Sequence, residues 1–60
     1  GEMIGRMVKK EDFRYVEWEN GQKGRELYDQ KNDPAEYNNL AEKAEYSSVV
    51  NEMKVLLYQK

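Results

Sequence analysis

The sequence predicts an α+β fold: a small antiparallel β-meander of three or four strands, with a carboxyl-terminal amphipathic helix packed on one sheet face. Three observations predict it. Aromatic and β-branched residues cluster over residues 13–19, turn formers (Asn20-Gly21, Asp33-Pro34) punctuate the chain, and one apolar stripe recurs at helical spacing from Tyr46 to Leu57.

Residues 3–8 (Met-Ile-Gly-Arg-Met-Val) are mostly apolar and suit a first strand. Gly5 inside it suggests a bulge or a close approach by another backbone. Lys9-Lys10-Glu11-Asp12 is a polar break long enough for a hairpin turn. The second strand, residues 13–19, turns Phe13 and Tyr15 to one face and Val16 and Trp18 to the other. Apolar groups on both faces mark it as central. Asn20-Gly21 then supplies two positive-φ residues for a tight turn, and Gly24 suits a bulge. The third strand runs from Arg25 to about residue 30, with Leu27 facing the core and Tyr28 opposite.

Asp33-Pro34-Ala35-Glu36 has the form of a helix start. Asp33 can accept from the Glu36 N–H, Pro34 sits where its missing N–H is harmless, and Glu36 can reach back to Asp33. One short turn is expected here, ending near Asn38-Asn39. Asn39 then bonds neighbouring backbone and Leu40 plugs the core. From Ala44 to Gln59, Tyr46, Val49, Val50, Met53, Leu56 and Leu57 form one apolar stripe, with Glu45, Glu52, Lys54 and Lys60 mainly away from it. Lys43, just ahead, cannot cap a helix as Asp does, so a ragged start, or one as early as Asn39, is expected.

Size and composition limit what such a domain can do. Sixty residues form one domain, residues 1–60, burying about 60% of the surface of the unfolded chain. Cysteine and histidine are absent, so neither a disulfide nor a Cys/His zinc site can hold it together. The net charge is −2 with both signs interleaved, and the longest basic run, Lys9-Lys10, is followed at once by Glu11 and Asp12. No nucleic-acid footprint is visible. Nor is any apolar run long enough to span a membrane. The opening Gly1-Glu2-Met3 reads as a cut rather than a native start, so the missing signal peptide is uninformative.

Several motifs point beyond the fold. Glu26-Leu27-Tyr28-Asp29, Asp33-Pro34, Glu36 and Asn39-Leu40-Ala41 follow the form E-L-Y-D-x-x-x-D-P-x-E-x-x-N-L-A. Phe13-Arg14-Tyr15-Val16-Glu17-Trp18 is similar to a K-Y-I-x-W type of strand, and Arg6-Met7-Val8-Lys9 to its R-x-V-R-T lead-in. Glu45-Tyr46, Val49-Val50, Met53 and Leu56-Leu57 fit a final helix of the form P-E-Y-x-x-V-V-x-x-L-x-x-L-L. With these pieces in order over residues 4–58, the chain resembles the carboxyl-terminal subdomain of the sulfatases of the alkaline-phosphatase-like superfamily.

That resemblance implies a parent enzyme that hydrolyses sulfate esters or sulfamates with a formylglycine nucleophile and a calcium ion. It also implies a catalytic domain in the same chain as the natural partner. An exported parent is implied as well, periplasmic in a bacterium or otherwise lysosomal. The family makes its nucleophile in a Cys/Ser-x-Pro-x-Arg context and uses active-site histidines. Here the only proline, Pro34, has Asn32 two before it and Glu36 two after. No catalytic residue, cofactor-binding residue or metal ligand can therefore be carried onto any position.

Other constellations have plainer explanations. Asp29, Asn32, Asp33 and Glu36 lack the spacing and central glycine of a calcium loop, so turn capping accounts for them. Glu17 and Glu19, beside Glu11, are read as surface carboxylates, since so small a chain hardly builds the cleft a glycosidase pair needs. Trp18, Tyr15, Tyr28 and Tyr37 could stack sugars but are read first as packing groups. Arg6, Arg14, Trp18 and Arg25 are the candidates for contact with a sulfated sugar or with the catalytic domain. The favoured expectation is a subdomain with a structural and cleft-bordering role and no activity of its own; the alternative is a free-standing interaction module. Parted from its catalytic body, the subdomain is expected to expose an apolar patch and to associate with itself.

Overall fold

The computed structural model describes residues 4–59. Three antiparallel strands, β1 (Gly5–Lys10), β2 (Phe13–Trp18) and β3 (Arg25–Asp29), form a sheet in the order β1-β2-β3. A 3₁₀ turn (Ala44–Tyr46) leads into helix α1 (Ser47–Tyr58), which packs on one sheet face. The α+β meander is therefore the fold, with β2 central.

The first hairpin is tighter than the sequence suggests. Lys9 and Lys10 pair with Arg14 and Phe13, leaving only Glu11-Asp12 as the turn. Glu11 takes the left-handed φ of 55° that so short a reversal needs. The strand shifts to residues 5–10 for that reason. Met3, its expected first residue, lies outside the described residues, as does Lys60.

Gly5 neither bulges nor meets backbone. Its register to Trp18 is regular, and a Cβ at Gly5 would lie 2.6 Å from the Trp18 ring. At the second reversal the tight turn becomes a longer loop. Glu19–Gly21 forms a 3₁₀ turn in which Glu19, Asn20 and Gly21 all have positive φ. The Trp18 N–H donates to the Gly24 carbonyl (3.0 Å) and the Lys23 N–H to the Trp18 carbonyl (3.1 Å), so two residues oppose one. That is the bulge expected at Gly24.

Asp33-Pro34-Ala35-Glu36 closes a turn but starts no helix. The Glu36 N–H donates to the Asp33 backbone carbonyl (2.9 Å), and Glu36 has φ 59°. A left-handed residue cannot continue a right-handed helix. The Asp33 carboxylate instead accepts from the N–H groups of Tyr37 (3.1 Å) and Asn38 (2.9 Å). The Glu36 side chain turns away toward Arg14.

Beyond this turn the chain runs along β3. The Leu40 N–H donates to the Leu27 carbonyl (2.8 Å), while the Asn39 amide accepts from Leu27 N–H (3.0 Å) and donates to the Arg25 carbonyl (3.1 Å). The Asn39–Leu40 segment thus occupies the place of a fourth strand without forming one. Leu40 completes a core with Tyr15, Leu27, Ala41, Val50 and Met53, flanked by Val8, Phe13, Tyr46, Val49, Leu56 and Leu57. The entire predicted stripe of α1 faces inward. Lys43 offers no cap, and the helix starts through the 3₁₀ turn instead of near Asn39.

Candidate functional site

Strand alternation gives the sheet two distinct faces. The helix-covered face carries Arg6, Val8 and Lys10 from β1, Phe13, Tyr15 and Glu17 from β2, and Arg25 and Leu27 from β3. Glu17 is fully buried there, which corrects its reading as a surface carboxylate. One carboxylate oxygen accepts from the Tyr15 hydroxyl (2.5 Å) and the other from the Tyr58 hydroxyl. Lys54, expected to lie away from the sheet, brings its ammonium to 4.0 Å from the same group.

The electrostatics follow from these contacts. Burial alone would push the Glu17 carboxyl up. The two tyrosine hydrogen bonds and the nearby Lys54 and Arg25 charges reverse this and hold it below the ordinary carboxylate value. Tyr15 is held well above a normal phenol, first by burial and then by its bond to Glu17. The pair stays in one protonation arrangement near neutrality, anionic acid and neutral phenol. Among the described residues its side-chain partners are the two tyrosine hydroxyls and the Lys54 ammonium, and two of these three come from α1, so the group ties the helix to the sheet.

The opposite face carries Gly5, Met7 and Lys9, then Arg14, Val16 and Trp18, then Glu26 and Tyr28. No helix lies on it among the described residues, yet Val16 is 5% exposed. The Glu26 carboxylate accepts from the Trp18 indole (2.6 Å) and from the Tyr28 hydroxyl. The Arg14 guanidinium stacks 5.5 Å from the Tyr28 ring and donates two 2.7 Å bonds to Glu36, which also takes the Gln30 amide. Glu36 is held below its ordinary value chiefly by Arg14, and Tyr28 is pushed up to about 12 chiefly by Glu26.

The four candidate contact residues therefore divide in two. Arg14 and Trp18 share the helix-free face, joined through Glu26 and Tyr28. Arg6 and Arg25 lie on the helix side. Arg6 sits 5.8 Å from the Tyr58 ring. Arg25 makes a two-bond pair with Glu42 (2.9 and 3.1 Å) beside a hollow of about 130 Å³ that Lys43, Ser47 and Asn51 also line. Asp29, from the group weighed as a calcium loop, accepts from the backbone of Lys31 and Asn32 and from the Asn32 side chain (2.8 Å). It caps a turn. Tyr37, named with the stacking aromatics, is 85% exposed.

Comparison with known proteins gives this arrangement a context. Residues 3–60 match the family described as N-sulphoglucosamine sulphohydrolase, C-terminal. The chain belongs to that family. Its sequence is also 43% identical over 53 residues to a Delta 4,5-hexuronate-2-O-sulfatase of Bacteroides thetaiotaomicron, covering 88% of this chain and 11% of that protein. The chain thus spans about a tenth of the length of the curated relative it matches. No solved structure matches it.

As a sulfatase C-terminal domain, the chain uses its most family-like stretch structurally. Leu27 and Leu40 fill the core, Glu26 ties Trp18 to Tyr28, Asp29 and Asp33 cap turns, and Asn39 seals the sheet edge. The residue missed from sequence is Glu17. Its signal was the strand alternation itself, which places residue 17 on the face of Phe13 and Tyr15.

Proposed function

We propose that this sulfatase C-terminal domain is a structural subdomain that docks on the catalytic portion of its parent enzyme and performs no chemistry of its own. The observation that carries this is the family match over essentially the whole chain. Two of the three candidate arginines support it, since Arg14 is bonded to Glu36 and Arg25 to Glu42 within the domain. A free anion binder would leave its guanidinium groups open.

Formylglycine and calcium, which sulfatases use, do not fit the residues present. Ser47 and Ser48 lie on α1 and are followed two residues on by Val49 and Val50 instead of proline. No group of three His, Cys, Asp or Glu residues among those described could hold a metal ion. Both groups belong, in this proposal, to the catalytic portion of the parent. The two related names refer to sulfated sugars, and we extend that substrate class to the parent enzyme.

Reading the parent gene upstream tests the assignment. A Cys/Ser-x-Pro-x-Arg motif several hundred residues earlier is expected. A complete upstream reading frame without one contradicts the proposal and favours a free-standing interaction module.

A further inference from the structure

We infer that the helix-free sheet face, centred on Met7, Val16 and Trp18, is the surface that seats against the remainder of the parent chain. This rests on the docking role proposed above and names its face. The occupant is the catalytic portion of the same polypeptide, because the matched relative holds nearly nine-tenths of its length outside the aligned region.

Composition is the first argument. Trp, Tyr, Met and Arg are the residue types enriched in the buried centres of interfaces. Trp18, Tyr28, Met7 and Arg14 bring all four to one sheet face. Met7 is 55% exposed there, while Val16 beneath is already dry.

Charge pairing is the second. Burying an unpaired charge in an interface is strongly unfavourable. On this face Glu36 is paired with Arg14 and bonded by Gln30, while Glu26 is hydrogen-bonded by the neutral Trp18 and Tyr28 with the Arg14 charge nearby. A partner can cover the face without stranding those ions. Lys9, on the same edge strand as Met7 but next to the β1–β2 hairpin, is at the hairpin end of this face, where a partner can leave its charge at the rim. The surface that fits is accordingly apolar at its centre and poor in charge.

The competing surface lacks these properties. Helix α1 presents exposed Ser48, Asn51 and Glu52, the last paired with Lys10 of β1, and Val55 is its one large apolar side chain more than half exposed. Isolated exposed apolar residues need no partner.

Residue-resolved radical footprinting of the full-length parent protein tests the assignment. Met7 and Trp18 are expected to be protected from oxidation, with Val55 and Tyr37 labelled in proportion to their exposure. Labelling of Met7 at the level its exposure predicts, with protection at Val55 or Tyr37, overturns the face while leaving docking intact. Full labelling at all four sites overturns the docking role itself. Protection of Met7 that disappears on dilution of the parent identifies a second copy as the occupant and overturns the inference. In a second arm, Met7→Glu in the full-length protein should lower its melting temperature, whereas Val55→Glu should not; equal effects contradict the face.

Discussion

The carboxylate of Glu17, fully buried at the centre of the sheet, accepts a hydrogen bond from the hydroxyl of Tyr58 in the last turn of α1. These residues are 41 positions apart. Few contacts tie the end of the helix to the sheet so directly. Tyr58→Phe removes one hydroxyl and leaves a buried carboxylate with one acceptor site unfilled, which should lower stability. Urea unfolding should show the midpoint falling with the slope unchanged.

Acid should unfold this domain partly through the same group. Glu17 is depressed below its unfolded value of 4.5, as are Glu26, Glu36 and Glu42. A carboxyl with a depressed folded value stabilises fully above the unfolded value and loses that contribution as pH falls through the folded one. Stability should therefore be level near neutrality and decline progressively below about pH 4.5. Glu17→Gln should be less stable at pH 7 and show a shallower acid decline. An unchanged slope across pH 5 to 3 in urea titrations would show that Glu17 is not linked to folding.

The approach of Gly5 to Trp18 yields another prediction. A Cβ at position 5 meets two atoms of the indole ring within 3 Å. Relief requires the ring to turn, and turning it breaks the bond from the indole to Glu26. Gly5→Ala should cost about 1–3 kcal/mol, as overpacking does. Trp18 is the only tryptophan in the sequence, so its fluorescence should report the displacement in this domain.

Asn39 stands in for a strand. Its side chain serves Leu27 N–H, Ala41 N–H and the Arg25 carbonyl. Asn39→Ala should open the outer edge of β3, and amide exchange at Leu27 should accelerate well before exchange at Tyr15 in the sheet centre. Equal exchange in both proteins would mean that Leu40 alone holds the edge.

These contacts mark how far the sequence could be read. Element types, the central position of β2 and the inward stripe of α1 follow from periodicity, because alternation and helical spacing depend only on residue order. Glu17 obeyed the same alternation, but it was weighed as half of a glycosidase pair, and the lack of room for a cleft argued for the surface. Tyr15 supports it from the same strand, but Tyr58, Lys54 and Arg25 arrive from other elements, and no local pattern announces those three. Asp33 and Glu36 fail as a capping box for a related reason. Arg14, from the central strand, competes for Glu36 with two charge-assisted bonds, stronger than one backbone N–H. The candidate contact residues were chosen by type, and the sheet separated them onto two faces.

The central claim is that this domain supports its parent sulfatase without entering the chemistry, and Tyr58→Phe in the full-length enzyme tests it most directly. Melting temperature and kcat for sulfate release should be measured together, with kcat taken well below the transition. The account predicts a lower melting temperature with kcat unchanged. A fall in kcat at unchanged melting temperature would contradict it.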